Sequence, residues 1–307
     1  MVAGGHRSEG GLILATLEVA AARGAGRRHL LARLALLGPG VTTWLLLFVA
    51  PVGLLLASSF RVRGPYGGFG QGFTLANYGR LLDPLYLDVF IGSLRIATLA
   101  TAIALLLGYP AALAIATASK RIRVALVLLV VLPFWTSFLI RTYAWMVILN
   151  PAGLANRLLA AVGLGPAPLL YNDFAIILGL VYAYLPLMVL PIYSAIERLG
   201  PQVREAAADL YAPPPVALLR VLVPLTLPGI AAGAVFVFVP SLGNFIVPDL
   251  LGGGRTIMIG NLMQQQFLQT RDWPFGAVMA LTVVALMLVL VGIQTRTLRE
   301  PEGTRGA

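Results

Sequence analysis

The chain has no cysteine, two histidines and only 11% charged residues. Without thiols there is no disulfide, no thiol chemistry and no cysteine-ligated metal. Both histidines, His6 and His29, lie near the N-terminus, so no H-E-x-x-H set or other histidine-based catalytic set can form within an apolar run. No G-x-x-x-x-G-K-S/T segment occurs, which excludes the usual phosphate cradle; Gly252-Gly253-Gly254 lacks the following lysine and reads as a flexible turn. Carboxylates such as Asp83, Asp88, Asp173, Glu197, Glu205, Asp209, Asp249 and Asp272 fall in loops or at the edges of apolar runs. A proton-coupled pump needs an ionisable relay inside the membrane. The chain therefore reads as a non-enzyme without cofactor or metal, and as one that does not bind ATP itself.

Hydrophobic residues make up 59% of the 307, far from a globular composition in which about a quarter is charged. Crossing ~30 Å of hydrocarbon at ~1.5 Å per residue takes about 20 apolar residues. Six runs qualify, near Leu36 to Phe60, Val89 to Ala118, Val124 to Leu149, Phe174 to Ile196, Leu227 to Val247 and Phe275 to Ile293. A helix satisfies its own backbone in lipid, and the period-2 alternation of barrel strands is missing. The fold class is an all-α integral membrane protein with six transmembrane helices. Pro110, Pro133, Pro186, Pro191 and Pro240 lie inside these runs and are expected to kink them. In domain terms, residues 1–35 form a basic arm, 36–296 a six-helix domain containing a polar loop at 197–226, and 297–307 a tail. Gly11 to Ala22 makes a poor signal peptide, since Glu18 interrupts it and its positive charges follow it.

Lysine and arginine counts set the orientation. One group of flanks carries Arg7, Arg23, Arg27, Arg28, Arg33, Lys120, Arg121, Arg123, Arg198, Arg204, Arg220, Arg296, Arg299 and Arg305; the other carries Arg61, Arg63, Arg80, Arg157, Arg255 and Arg271. The excess places both termini and the polar loop in the cytosol. These arginines also account for most of the +10 charge, which is directed at lipid headgroups and not at nucleic acid. Arg95 and Arg141 sit near the outer ends of their runs, from which they can snorkel as anchors.

The polar loop is the main soluble surface. Leu199-Gly200-Pro201 breaks the chain, Gln202 to Leu210 reads as a short helix with alanines on one side, and a second helix begins after Pro213-Pro214-Pro215 and feeds directly into the fifth run. Small side chains let the first helix seat closely on a partner, with Arg204, Glu205 and Asp209 fixing register.

The pattern Glu205-Ala206-Ala207, then Pro224-Leu225 and Pro228-Gly229, resembles the EAA loop of permease subunits of binding-protein-dependent ABC importers. Three further stretches are similar to the PotB-type, spermidine/putrescine branch: Tyr78-Gly79-Arg80-Leu81-Leu82-Asp83-Pro84-Leu85-Tyr86; Pro133-Phe134-Trp135-Thr136-Ser137-Phe138-Leu139-Ile140-Arg141; and Gln266-Phe267-Leu268 through Arg271-Asp272-Trp273-Pro274-Phe275-Gly276. The likeness covers about residues 40 to 296. It implies a type I importer permease fold in a bacterial cytoplasmic membrane, with a cytosolic ATPase dimer, a second permease subunit, an outer solute-binding protein and membrane lipids as partners. It also implies ATPase coupling through Arg204, Glu205, Ala206, Ala207, Asp209, Leu210 and Tyr211. The family's usual glycine is Tyr211 here, and a tyrosine in a left-handed turn is strained, so the turn is expected to be built differently, with the three prolines fixing its direction.

If the cargo is a polyamine, its ammoniums need acceptors and aromatic faces. Trp135, Tyr182, Tyr184, Asn244 and Asp249 are the candidates, with ordinary packing as the competing role of the aromatics. Residues 61–88, 151–173 and 248–274 are the candidate surface for a binding protein, with plain solvated loops as the competing role of the first two and a short helix over Met258 to Phe267 in the last. Another small solute (metal or anion), an ATP-independent secondary transporter and a scaffold without cargo remain the alternatives.

Overall fold

The computed structural model describes residues 37–297; the arm assigned to 1–35 and the tail beyond residue 297 lie outside the described residues. The chain divides into two units, Met1–Ala57 and Ser58–Ala307. The described part of the first belongs to helix α1 (Leu37–Ser59), which contains a π-helical turn at Leu45–Val49.

The second unit opens with an antiparallel hairpin, β1 (Arg61–Arg63) and β2 (Phe69–Phe73). Then follow α2 (Pro84–Thr117), α3 (Lys120–Val131), α4 (Phe138–Leu149), α5 (Leu154–Ala161), α6 (Asp173–Leu199) and α7 (Gln202–Asp209). The chain continues through α8 (Pro214–Leu225), α9 (Leu227–Gly243), α10 (Ile246–Gly252), α11 (Ile259–Gln264) and α12 (Trp273–Thr297). Among the described residues five stretches are long and apolar enough to cross a membrane, namely α1, α2, α4 together with α5 (Phe138–Ala161), α6 and α12, and the bent pair α8 and α9 makes a sixth if it is one span.

The core of the second unit is the packing of α2, α6 and α9. In lipid, helices gain little from hiding apolar surface, so they associate where small residues allow close backbone approach. Ala100, Ala104 and Ala112 form a fully buried stripe on α2. Gly108 of α2 and Gly233 of α9 both abut Met188 of α6, where an added Cβ would come within 2.9 and 2.8 Å of its side chain. Gly229, four residues before Gly233, sits where a Cβ would meet Ala195 Cβ at 2.5 Å. The Gly229-x-x-x-Gly233 spacing puts both gaps on one face of α9.

Two of the expected spans are interrupted. The run Val124 to Leu149 is not one helix: α3 ends, a 3-10 turn covers Leu132–Trp135, Thr136 is extended, and α4 begins at Phe138. Pro133 cannot donate to the helical ladder, and the break frees carbonyls that lipid cannot satisfy. The Pro133 carbonyl accepts from Arg141 Nη1 at 2.7 Å and from Thr136 Oγ1 at 2.8 Å, so two side chains hold the break. By contrast, α2 continues through Pro110, α6 through Pro186 and Pro191, and α9 through Pro240. The run Leu227 to Val247 stops at Gly243, because Asn244 is extended and its side chain accepts from Val247 N at 2.8 Å to start α10.

Charged contacts tie the ends together. Arg80 pairs with the buried Asp272 at 2.9 Å and stacks over Phe275, while Asp272 also accepts from Phe275 N at the start of α12. At the other end of the unit, Arg123 pairs with Glu197 at 3.1 Å and donates to the Ala116 and Ala118 carbonyls, joining the ends of α2, α3 and α6. Arg95 does more than snorkel, since it pairs with Asp173 at 2.6 Å.

Gly229→Val should lower stability by about 1 to 3 kcal/mol through overpacking, read as an earlier unfolding transition in detergent. Gly92→Ala, at a site open to 4 Å, should leave the transition in place or raise it.

Candidate functional site

The sequence candidates fall into two groups in the structure. The first is the turn after α7. Helix α7 starts behind Gly200 and Pro201 and packs on α8, which buries Ala207. Alanines do not make one free face: Ala206 and Ala208 are exposed and Ala207 is turned inward. Glu205 and Asp209 are exposed, Arg204 is half-buried, and none of the three ion pairs among the described residues involves them. Leu210 is 82% and Tyr211 94% exposed.

The turn is built as a glycine would build it, contrary to expectation. Tyr211 adopts φ +53, Tyr211 N donates to Ala208 O at 2.8 Å and Ala212 N to Ala207 O at 3.1 Å. That pair of bonds is the Schellman closure, with its left-handed residue filled by tyrosine at a cost of roughly 1 to 2 kcal/mol relative to glycine. The prolines act after it. Pro213 is extended, and Pro214 and Pro215 open α8, where a missing donor does no harm.

α8 does not run straight into α9. The two meet at 72°, with the buried Thr226 between them. Thr226 Oγ1 donates to Leu222 O at 2.7 Å, so the Tyr109 hydroxyl of α2, 3.1 Å away, donates to Thr226. The bend is thereby fastened to the helix core, and a π-helical turn at Leu218–Leu222 precedes it.

The second group lies at the far end of α9. A cleft of about 400 Å³ is lined by Phe138, Tyr184, Pro240, Gly243, Asn244, Phe245 and Ile246. Asn244 Nδ2 donates to the Tyr184 hydroxyl at 2.7 Å, and that hydroxyl faces the Pro240 carbonyl at 3.4 Å. Phe138 stacks beside Tyr184, ring centroids 6.4 Å apart. The walls are mostly apolar, with one hydroxyl, one carbonyl and one amide at the rim of the helix break.

Of the five pathway candidates, only Tyr184 and Asn244 meet here. Tyr182 packs edge-on against Trp145 and under the Arg141 guanidinium. Trp135, 78% exposed in the 3-10 turn, does not line the cleft. Neither does Asp249, whose carboxylate accepts from Asn261. The residues that sequence reasoning missed are Phe138, Phe245 and the Pro240 carbonyl. Phe138 lies inside the Pro133 to Arg141 motif, and Pro240 was visible as an intramembrane proline. Arg141 is also closer to the site than an anchor need be, with its guanidinium 5.6 Å from the Phe138 ring and 5.7 Å from that of Phe134.

The chain is 42% identical over 262 residues to the spermidine/putrescine transport system permease protein PotB of Salmonella typhimurium, covering 84% of this chain and 91% of that protein. It is 41% identical to PotB of Escherichia coli, covering 84% and 95%. The crystal structure of a bacterial alginate ABC transporter, in complex with alginate pentasaccharide-bound periplasmic protein, superposes with a TM-score of 0.68 at 20% identity over 90% of this chain and 96% of that one, which is a likeness of fold. Residues 104–299 match the family described as binding-protein-dependent transport system inner membrane component, and the chain belongs to that family.

Proposed function

We propose that this chain is one of two permease subunits of a polyamine importer, taking spermidine or putrescine through the membrane under the action of a separate ATPase. The observation that carries the reading is a continuous element: an exposed polar helix, α7, joined through α8 and the fastened bend at Thr226 to α9, whose far end forms a wall of the cleft. A push on α7 turns α8, and the Tyr109–Thr226 bond makes the bend a fulcrum against α2. Seventeen-residue α9 then shifts its Pro240 to Gly243 end relative to Tyr184 and Phe138. Rigid-body rocking of this kind is how such devices alternate access.

Orientation follows the arginine excess, with α7 and both termini in the cytosol and the β1–β2 hairpin, α10 and α11 outside. The ATPase dimer docks on α7, the second permease completes the pathway, and a solute-binding protein delivers cargo to the outer loops. The coupling set is Arg204, Glu205, Ala206, Ala207, Asp209, Leu210 and Tyr211, with Ala207 acting from the inner side. In the pathway, Tyr184 and Asn244 hold direct positions, Trp135 and Tyr182 act at the neighbouring helix break, and Asp249 orients α11 through Asn261.

The cleft suits an aliphatic polycation. Methylene stems lie against the apolar walls, while an ammonium reaches the Tyr184 hydroxyl and the Pro240 carbonyl. The nearby Arg141 charge keeps ammonium binding weak, as passage requires a site that releases what it admits. The 42% identity to a protein named for spermidine and putrescine favours the same cargo here.

In vesicles holding the full transporter, Glu205→Arg should cut ATP-driven spermidine uptake at least tenfold while the chain still inserts; unchanged uptake would sink the docking role. Tyr184→Phe and Asn244→Ala should raise the KM for spermidine several-fold with ATP turnover per uptake event unchanged. An unaltered KM in both variants removes the cleft from the pathway.

A further inference from the structure

Three non-glycine residues in the described chain have left-handed backbones, namely Tyr171 at φ 63, Tyr211 at φ 53 and Arg271 at φ 51. Such a conformation persists where surroundings over-determine it. For Tyr171 the surroundings are visible, since its N–H donates to Leu251 O at 2.9 Å and its ring lies against Gly253. They are visible for Arg271 too, whose carbonyl accepts from Gly68 N at 2.7 Å and whose side chain lies against Gly67. Tyr211 differs. Its backbone hydrogen bond, Tyr211 N to Ala208 O, closes its own helix, and its ring is 94% exposed. Nothing among the described residues explains why the position carries a large aromatic side chain where glycine would sit without strain.

We propose that Tyr211 is an aromatic knob, an anchor that inserts with Leu210 into an apolar pocket on the ATPase subunit. This rests on the docking role of α7 given above and adds its chief affinity determinant. A left-handed residue directs its side chain away from the helix it ends, so Tyr211 projects beyond α7 and is free to enter a recess. Leu210, 82% exposed and adjacent, widens the apolar contact. The exposed Glu205 and Asp209 stand on the preceding turns of the same helix. An apolar tip behind an acidic flank fits a recess with basic side chains on its rim. Membrane surface is the competing occupant, since Arg198, Arg204 and Arg220 of the same loop would meet anionic headgroups even though Glu205 and Asp209 would not, and the oxygen and nickel arms below separate the two. Tyrosine is among the residues that dominate interfaces when seated in a pocket, and its two side-chain torsions are ordered at low entropic cost.

The knob can be separated from the strain, because Tyr211→Gly removes the ring and relaxes the backbone at once. The test uses the full transporter assembled with its ATPase and second permease, comparing wild type, Tyr211→Phe and Tyr211→Gly. With the knob in its pocket, Tyr211→Gly raises or keeps thermal stability yet weakens ATPase affinity at least tenfold and lowers uptake per ATP, while Tyr211→Phe stays within threefold of wild type. Equal or tighter ATPase binding by Tyr211→Gly overturns the proposal, and so does a nitroxide at Leu210→Cys that is reached by oxygen within lipid and not by a water-soluble nickel complex. The chain's lack of native cysteine makes that label unique. Failure of the wild-type chain to bind the ATPase would instead remove the docking role itself.

Discussion

Close approach of α2, α6 and α9 around Met188 is the constraint on which the rest of the second unit depends. Gly108, Gly229 and Gly233 supply the space, and each would place a Cβ within 3 Å of a neighbouring helix. Because lipid offers no hydrophobic drive for helix association, fit at these few positions decides whether the helices meet at all. Once they do, Tyr109 is in reach of Thr226, and Tyr184 is in reach of Asn244. The same packing thus sets the bend at one end of α9 and the cleft at the other.

At three breaks in the apolar region a side chain bonds the local backbone. Arg141 donates to the Pro133 carbonyl, which also accepts from Thr136; Asn244 accepts from Val247 N; and Thr226 Oγ1 donates to the Leu222 carbonyl, which also accepts from Thr226 N. Two of these three stand at the cleft or the bend. Under the proposed coupling these breaks are the joints of the lever, which a straight span could not provide.

Much of this was legible in the sequence. The apolar runs gave the number of spans, and the Glu205-Ala206-Ala207 and Pro228-Gly229 patterns located the polar helix and its exit into α9. Joint geometry was not legible, because composition does not distinguish a proline that a helix tolerates, such as Pro186, from one that ends it, such as Pro133. The difference lies in tertiary partners from other elements. Tyr211 failed for a related reason: steric preference argued against a left-handed tyrosine, yet the two helix-closing bonds hold it there. Among pathway candidates, Tyr184 and Asn244 were found from residue type alone, whereas Tyr182, two positions away, points to Trp145 and Arg141. Phe138 becomes a wall of the cleft only because the chain breaks just before it.

The central claim is that ATP acts on the cleft through α7, α8 and the bend. Spin labels at Gln202→Cys on α7 and Phe245→Cys on the cleft rim, in a chain without other cysteines, report it as a distance distribution in the assembled, membrane-embedded transporter. The account predicts that trapping the ATP-bound state shifts that distribution by several ångströms, and that Glu205→Arg abolishes the shift. An unchanged distribution in a transporter that still imports spermidine with ATP would contradict it.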